Sequence, residues 1–324
     1  MTFYILKRLA QSVFVMLAVA FLAFSLFRFA GDPISQMTGV ETSVADRERL
    51  REQLGLNDPF VIQFLRFTGD IVRGDFGYSY RTRQPIGEML LSRIPATLEL
   101  GTVALLISLI VGIPAGVYTA LRPRGAVNQT ILISTLVGVS IPTFVIGIFL
   151  IFLFGVYLGW LPTYGRGGTV EIGWWESSLF TLEGWRSLIL PSITLGVYQL
   201  TLTMRLVRAE MMEVMRTDYI RFATARGVPW RSLYFRHALG NTMVPVITII
   251  GLQFGGVIAF SIVTESVFQW PGMGLLFLES IRFVDIPVMG VYLVVIAFFF
   301  VVINLAVDLL YLAIDPQLRV REAA

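Results

Sequence analysis

The run Val288–Ile314, VMGVYLVVIAFFFVVINLAVDLLYLAI, contains a single charged residue, Asp308. A bilayer core of about 30 Å needs roughly 20 predominantly apolar residues in a helix, so this run reads as a membrane span. Moving outward from it, the same signature recurs at Met243–Phe268, Leu188–Met204, Thr130–Leu158, Thr97–Leu121 and Leu9–Ala30. An all-α integral membrane protein of about six transmembrane helices is therefore expected. Ala18-Val19-Ala20 mimics a signal-peptide cleavage site, but it lies inside an apolar run that continues to Phe29. That placement makes the first span an uncleaved anchor. Gly112, Pro114, Gly138, Pro142, Gly147, Gly255 and Gly256 fall inside the spans, where such residues permit kinks and close helix approach.

Composition agrees. Apolar residues are 56% of the 324 and charged residues only 15%, against roughly 25% charged in a soluble domain. The mean hydropathy is +0.75. The net charge of +3 gives no ground for nucleic-acid binding. The absence of cysteine removes disulfides, thiolate metal sites and cysteine nucleophiles. The single histidine, His237, excludes a multi-histidine metal cluster within the chain, and it reads as a loop-packing residue.

Arginine placement sets the expected orientation. With the N-terminus cytoplasmic, the inner segments carry Lys7 and Arg8, Arg122 and Arg124, seven arginines from Arg205 to Arg236, and Arg319 and Arg321. The short outer loops carry only Arg166, Arg186 and Arg282. Four regions follow: an N-terminal end and first span (1–30), an outer segment (31–96), a five-helix core (97–314) with a cytoplasmic loop at 205–242, and a cytoplasmic tail (315–324). Both termini are expected inside. In the outer segment, Ser43 followed by Asp46 starts a helix over Val44–Leu54 that Gly55 stops, and Pro59 starts another that Gly74 stops. Both are expected to be amphipathic and to lie on the outer mouth of the bundle.

The loop Arg205–Thr242 has the densest positive charge in the chain. Asp218 is a candidate N-cap for a short helix, Tyr219–Arg226. Gly227 supplies a left-handed stop, and Pro229 opens the next helix. Tyr219, Phe222, Ala223 and Arg226 share one face, with Arg221 beside them, and Ala223 and Gly227 keep the surface low. This pattern fits a helix that docks in a partner's groove. It fits equally an interfacial helix resting on anionic lipid.

Arg221-Phe222-Ala223, Gly227 and His237-Ala238-Leu239 together resemble the cytoplasmic loop signature of ABC importer permeases. The more familiar form opens Glu-Ala-Ala and closes Ile-x-Leu-Pro. Arg-Phe-Ala and His-Ala-Leu-Gly are instead similar to the dipeptide/oligopeptide/nickel permease branch, and Gly240 in place of the closing proline leaves the end of the second helix open. The likeness extends over nearly the whole chain. It includes Gly31-Asp32-Pro33, Leu54-Gly55-Leu56-Asn57-Asp58-Pro59, Gly74-Asp75-Phe76-Gly77 and Arg93-Ile94-Pro95-Ala96-Thr97-Leu98. Further along are Gly159-Trp160-Leu161-Pro162, Glu265-Ser266-Val267-Phe268 with Pro271-Gly272-Met273-Gly274, and Asn304-Leu305, Asp308, Tyr311 and Asp315-Pro316.

The resemblance implies a type I ABC importer permease bundle in the bacterial inner membrane. It implies a second homologous permease, two ATPase subunits docked through Tyr219, Arg221, Phe222, Ala223, Arg226 and Gly227, and a solute-binding protein outside. The substrate it implies is a dipeptide, an oligopeptide, a nickel complex, glutathione or an oligosaccharide, with peptide foremost. One observation stands apart from the resemblance. A P-loop needs a lysine after its second glycine, and the only lysine is Lys7, outside any such motif. ATP and its magnesium must then be bound by another chain, and this chain needs no cofactor.

Few ionisable residues lie within the spans: Asp308 near the cytoplasmic face, Glu99 and Glu265 near the outer ends. Asp308 with Asn304 reads as a structural pair to a neighbouring arginine rather than a functional charge. Gln253, Thr264 and Asn304 are candidates for lining a polar path. A secondary transporter or channel would need several mid-membrane acids or paired unwound helices, and an intramembrane enzyme a Ser/His/Asp set, a metal cluster or paired carboxylates. The sequence shows none of these.

Overall fold

A computed structural model describes residues 2–29, 34, 43–53 and 55–314. The tail 315–324 and the Gly31-Asp32-Pro33 motif lie outside the described residues. Five helices are long and apolar enough to cross a membrane: α1 (Thr2–Phe29), α4 (Ile86–Leu121), α7 (Leu182–Val214), α9 (Leu239–Phe268) and α11 (Ile286–Ile314). The expected third span is not one continuous helix. It is divided into α5 (Ala126–Ser140) and α6 (Thr143–Leu150, running on as a π-helix through Tyr157), bent by 107° at the junction. Pro142 has no amide to donate and its ring crowds the carbonyl four residues back, while the residue before a proline is driven out of the helical region. Ile141 accordingly sits at φ −92°, ψ 129°.

Several spans overrun their expected ends, among them α4 and α7. Helix α4 begins at Ile86, eleven residues before Thr97, because Ile86 and Leu90 are buried against Met273, Leu276 and Val291 and extend the packed face outward. Helix α7 starts at the cap Thr181, whose Oγ1 accepts from the amide of Gly184 at 2.9 Å. It continues to Val214 because Val207 and Met211 are fully buried. Ten residues assigned to the cytoplasmic loop are thus helix.

The bundle's centre is the long α4/α7 contact. A Cβ on Gly116 would lie 2.8 Å from the Met204 carbonyl, and one on Gly196 would lie 2.9 Å from that of Ala104. Small residues let the two backbones approach, as in other membrane bundles. Helix α1 packs on α11 and on α3 (Phe60–Arg73), where Phe21 and Phe24 meet Phe60 and Phe64 with ring centroids 5.1 to 5.8 Å apart. Many large apolar side chains stay exposed around the bundle, among them Phe14, Ile110, Phe152 and Phe260, the surface a lipid-facing protein presents.

The expected outer segment is partly corrected. Helix α2 (Val44–Gln53) is capped as read, with the Asp46 amide donating to Ser43 Oγ at 3.2 Å, and Gly55 adopts φ +63°. Its sequence VADRERLREQ, however, carries no apolar stripe, so it is polar all round rather than amphipathic. Helix α3 is amphipathic and ends at Gly74 in the left-handed region.

One end of the bundle is joined by polar contacts between loops. A short hairpin, β1 (Val170–Ile172) and β2 (Trp175–Ser177), lies over α4. Arg166 Nη2 meets Glu99 Oε2 at 2.8 Å, both side chains being at most 6% exposed, and Glu99 also accepts from Trp175 and the Ser178 amide. Glu265 accepts from Thr97, Ser261 and the amide of Leu275 at 2.8 to 3.0 Å. Asp285 accepts from the Ser79 hydroxyl and from the Tyr80 amide at 3.2 Å. Burial, and then the Asp285 charge, push the Tyr80 phenol up to about 12. The opposite end is held by an apolar cluster around Val117, Val207, Met211, Leu233 and Val246.

Candidate functional site

The site at the apolar end is helix α8 (Asp218–Ala225). Its cap is Thr217, in the extended region at φ −68°, ψ 151°. Asp218, expected in that role, is instead the first helical residue, where its carboxylate faces the helix N-terminus favourably and pairs with Arg221 at 3.2 Å. The C-terminus closes as a Schellman motif. The Gly227 amide donates to the Thr224 carbonyl at 3.0 Å, and the Val228 amide donates to that of Ala223 at 3.2 Å. Gly227 sits at φ +75°, where a side chain would be strained.

The two faces of α8 differ. Ile220 and Ala223 are 2% and 7% exposed and belong to the cluster with Val117, Val207 and Leu233. Phe222 is 63% exposed and Tyr219 48%. Arg226 lies over the Phe222 ring at 5.3 Å, and Tyr219 hydrogen-bonds His237 Nδ1 at 2.5 Å. The solvent face therefore comprises Tyr219, Arg221, Phe222, Arg226 and Gly227, and Ala223 belongs to the inner face instead of being a low point on the outer one. His237 braces α8 against the following helix. That helix begins at Trp230, with the Pro229 carbonyl accepting from the Leu233 amide at 3.0 Å. It passes through a π-helical turn (Ser232–Ala238) into α9 without a stop at Gly240, so the second loop helix and the fifth span are one element.

The candidate path residues are scattered. Gln253 hydrogen-bonds Gln199 of α7. Thr264 is fully buried within the bundle. Asn304 borders a cavity between α1 and α11 and its Oδ1 is buried without a partner. Asp308 pairs with Arg8 of α1 at 3.3 Å, the structural pairing expected of it. The break at Ser140–Pro142 is not among the sequence candidates, although Pro142 is its visible signal. The Arg166 partner of Glu99 is not among them either. A buried acid needs a cation, and Arg166 and Arg186 were the only ones in the adjoining loop.

Residues 112–320 match the family described as binding-protein-dependent transport system inner membrane component, and residues 1–101 match its N-terminal counterpart. The oligopeptide transport system permease protein AppB of Bacillus subtilis is 38% identical over 321 residues, 98% of this chain and 100% of that protein. The dipeptide transport system permease protein DppB of Alkalihalophilus pseudofirmus is 35% identical, with 98% and 99% covered. The glutathione transport system permease protein GsiC of Escherichia coli is 37% identical, with 98% of each covered. A chain of the inward-facing MetNI methionine ABC transporter superposes with a TM-score of 0.55 at 17% identity, over 70% of this chain and 96% of that one, a likeness of fold. Matched from end to end in sequence and over the bundle in fold, the chain belongs to the inner membrane components of binding-protein-dependent transport systems and is an ABC importer permease subunit.

Proposed function

We propose that the chain forms half of the translocation pathway of an importer for short peptides, with α8 as the element that couples it to ATP hydrolysis. The observation that carries the coupling role is the two-sided character of α8. Ile220 and Ala223 fix it to the bundle, while Tyr219, Phe222 and Arg226 stand clear of it. An aromatic knob on a helix anchored this way can be gripped by a partner, and the displacement passes directly into the cluster joining α4, α7 and α9. Among the described residues, the chain neighbours of Gly227 aside, nothing lies within 4 Å of a Cβ placed on it, which leaves room for a partner's backbone. The relatives named for oligopeptide, dipeptide and glutathione transport support a substrate joined by amide bonds. A second homologous permease, two ATPase subunits that bind ATP and magnesium, and a solute-binding protein complete the proposed assembly. Both termini and 205–242 are cytoplasmic in this reading, with 31–96 outside.

The test is ATP hydrolysis stimulated by the loaded binding protein in the reconstituted complex. Phe222→Ala should abolish most of the stimulation while leaving assembly intact. Gly227→Leu should do the same, since the left-handed backbone alone costs such a residue roughly 1–2 kcal/mol. Arg226→Ala should be milder, because an exposed charge contributes under about 1 kcal/mol. Full stimulation and uptake by both Phe222→Ala and Gly227→Leu would show α8 to be a lipid-surface helix.

A further inference from the structure

Beside α8, a cavity of about 600 Å³ opens between the end of α4 and the helix that follows Pro229. Its floor is apolar, formed by Ile113, Val117 and Leu121 of α4 with Leu239 opposite. Its rim carries Tyr118, Arg122 and Trp230. The Arg122 guanidinium lies 5.6 Å from the Tyr118 ring centre, and that of Arg231 lies 5.3 Å from the Trp230 ring centre. No carboxylate lines the cavity, and neither arginine takes part in an ion pair among the described residues.

The depth of these groups identifies the occupant. Ile113 lies inside the span and Arg122 just past its last residue, so at 1.5 Å per residue the lining covers about 13 Å along the helix axis. With α4 spanning the membrane, its deep part would lie toward hydrocarbon and its shallow part at headgroup level, where tryptophan, tyrosine and arginine concentrate. A molecule with one long apolar part and one anionic end fits both, and basic pockets between membrane helices hold anionic lipid headgroups. We propose that this cavity is a binding site for one anionic phospholipid, with an acyl chain on the Ile113–Leu121 floor and the phosphate on Arg122 of the lining, Arg231 adding its charge from beside the rim residue Trp230. The lipid ties α4 to the helix that starts three residues after Gly227, so it braces the segment carrying α8.

The site rests on the membrane-spanning reading and not on α8 docking, and it is measured by mass rather than by ATPase activity. The complete transporter, reconstituted in phosphatidylcholine discs with a minor share of phosphatidylglycerol and then released into mild detergent, is examined by native mass spectrometry. One phosphatidylglycerol should remain bound in preference to phosphatidylcholine. Arg122→Gln with Arg231→Gln should weaken its retention about twenty-five-fold, each arginine near a membrane surface contributing roughly fivefold. Arg122→Lys with Arg231→Lys should fold equally and keep the preference. Equal retention by the glutamine and wild-type proteins, or no lipid preference in the wild type, would overturn the site. A cysteine at Phe235, also on the lining, separates the remaining occupant. Labelling by a membrane-soluble maleimide in the complete complex supports lipid, whereas labelling only after the ATPase subunits are stripped would assign the cavity to protein and refute the proposal.

Discussion

Glu99 and Arg166 form the most completely buried charge pair among the described residues, with side chains 2% and 6% exposed. Removing one member of such a pair strands the other and costs about 3–5 kcal/mol, whereas replacing both with apolar groups can be nearly neutral. Glu99→Ala should therefore lower the thermal transition of the purified protein sharply, and Glu99→Leu with Arg166→Met should recover much of the loss. A catalytic or transport role for the pair would instead leave the double variant stable but inactive. At Gly272, a Cβ would fall 2.4 Å from the Glu265 carboxyl carbon. That carboxylate is held by donors on three sides, so it cannot swing away freely. Gly272→Ala should cost roughly 1–3 kcal/mol by overpacking, read as a drop in the same transition. The glycine is explained by a neighbour's side chain and not by its own backbone, which is at φ −96°.

Among the elements, the α5–α6 break makes the clearest demand on its surroundings. Gly138 packs against Val197 and Thr201, near the middle of α7, so the break lies deep in the bundle. No described backbone or side-chain donor reaches the carbonyls of Gly138, Val139, Ser140 or Ile141. In hydrocarbon each would cost several kcal/mol, so irregular backbone at this depth survives only against protein or water. Ser140 and Ile141 are exposed on this chain. A cysteine at Ser140 in the assembled transporter should accordingly react with a charged, water-soluble thiol reagent. Reaction with membrane-soluble reagents alone would place the break against lipid and contradict the expectation. The spans themselves were legible in the sequence because burial in lipid demands long apolar runs. So were the capped ends at Ser43, Gly74 and Gly227, because each rests on one residue's local chemistry. What stayed illegible was contact over distance. Nothing in Arg166 names Glu99, and the helical continuation of α7 to Val214 depends on Val207 and Met211 finding α4.

At the scale of the whole molecule, the arginine distribution predicts which end faces which compartment. The native chain has no cysteine, so a single one at Leu50 should be labelled by an impermeant maleimide on intact spheroplasts, and labelling only after permeabilisation would invert the topology. The two ends differ in how they are held. The end bearing Glu99, Glu265 and Asp285 is fastened by directional bonds between segments far apart in sequence. The end bearing α8 is held by aliphatic packing, which tolerates a slide of an ångström where a buried hydrogen bond does not. The bundle is in that sense a pair of tongs, riveted at one tip and loose at the other, and under the proposed coupling a push delivered at α8 would open the jaw rather than work the rivet.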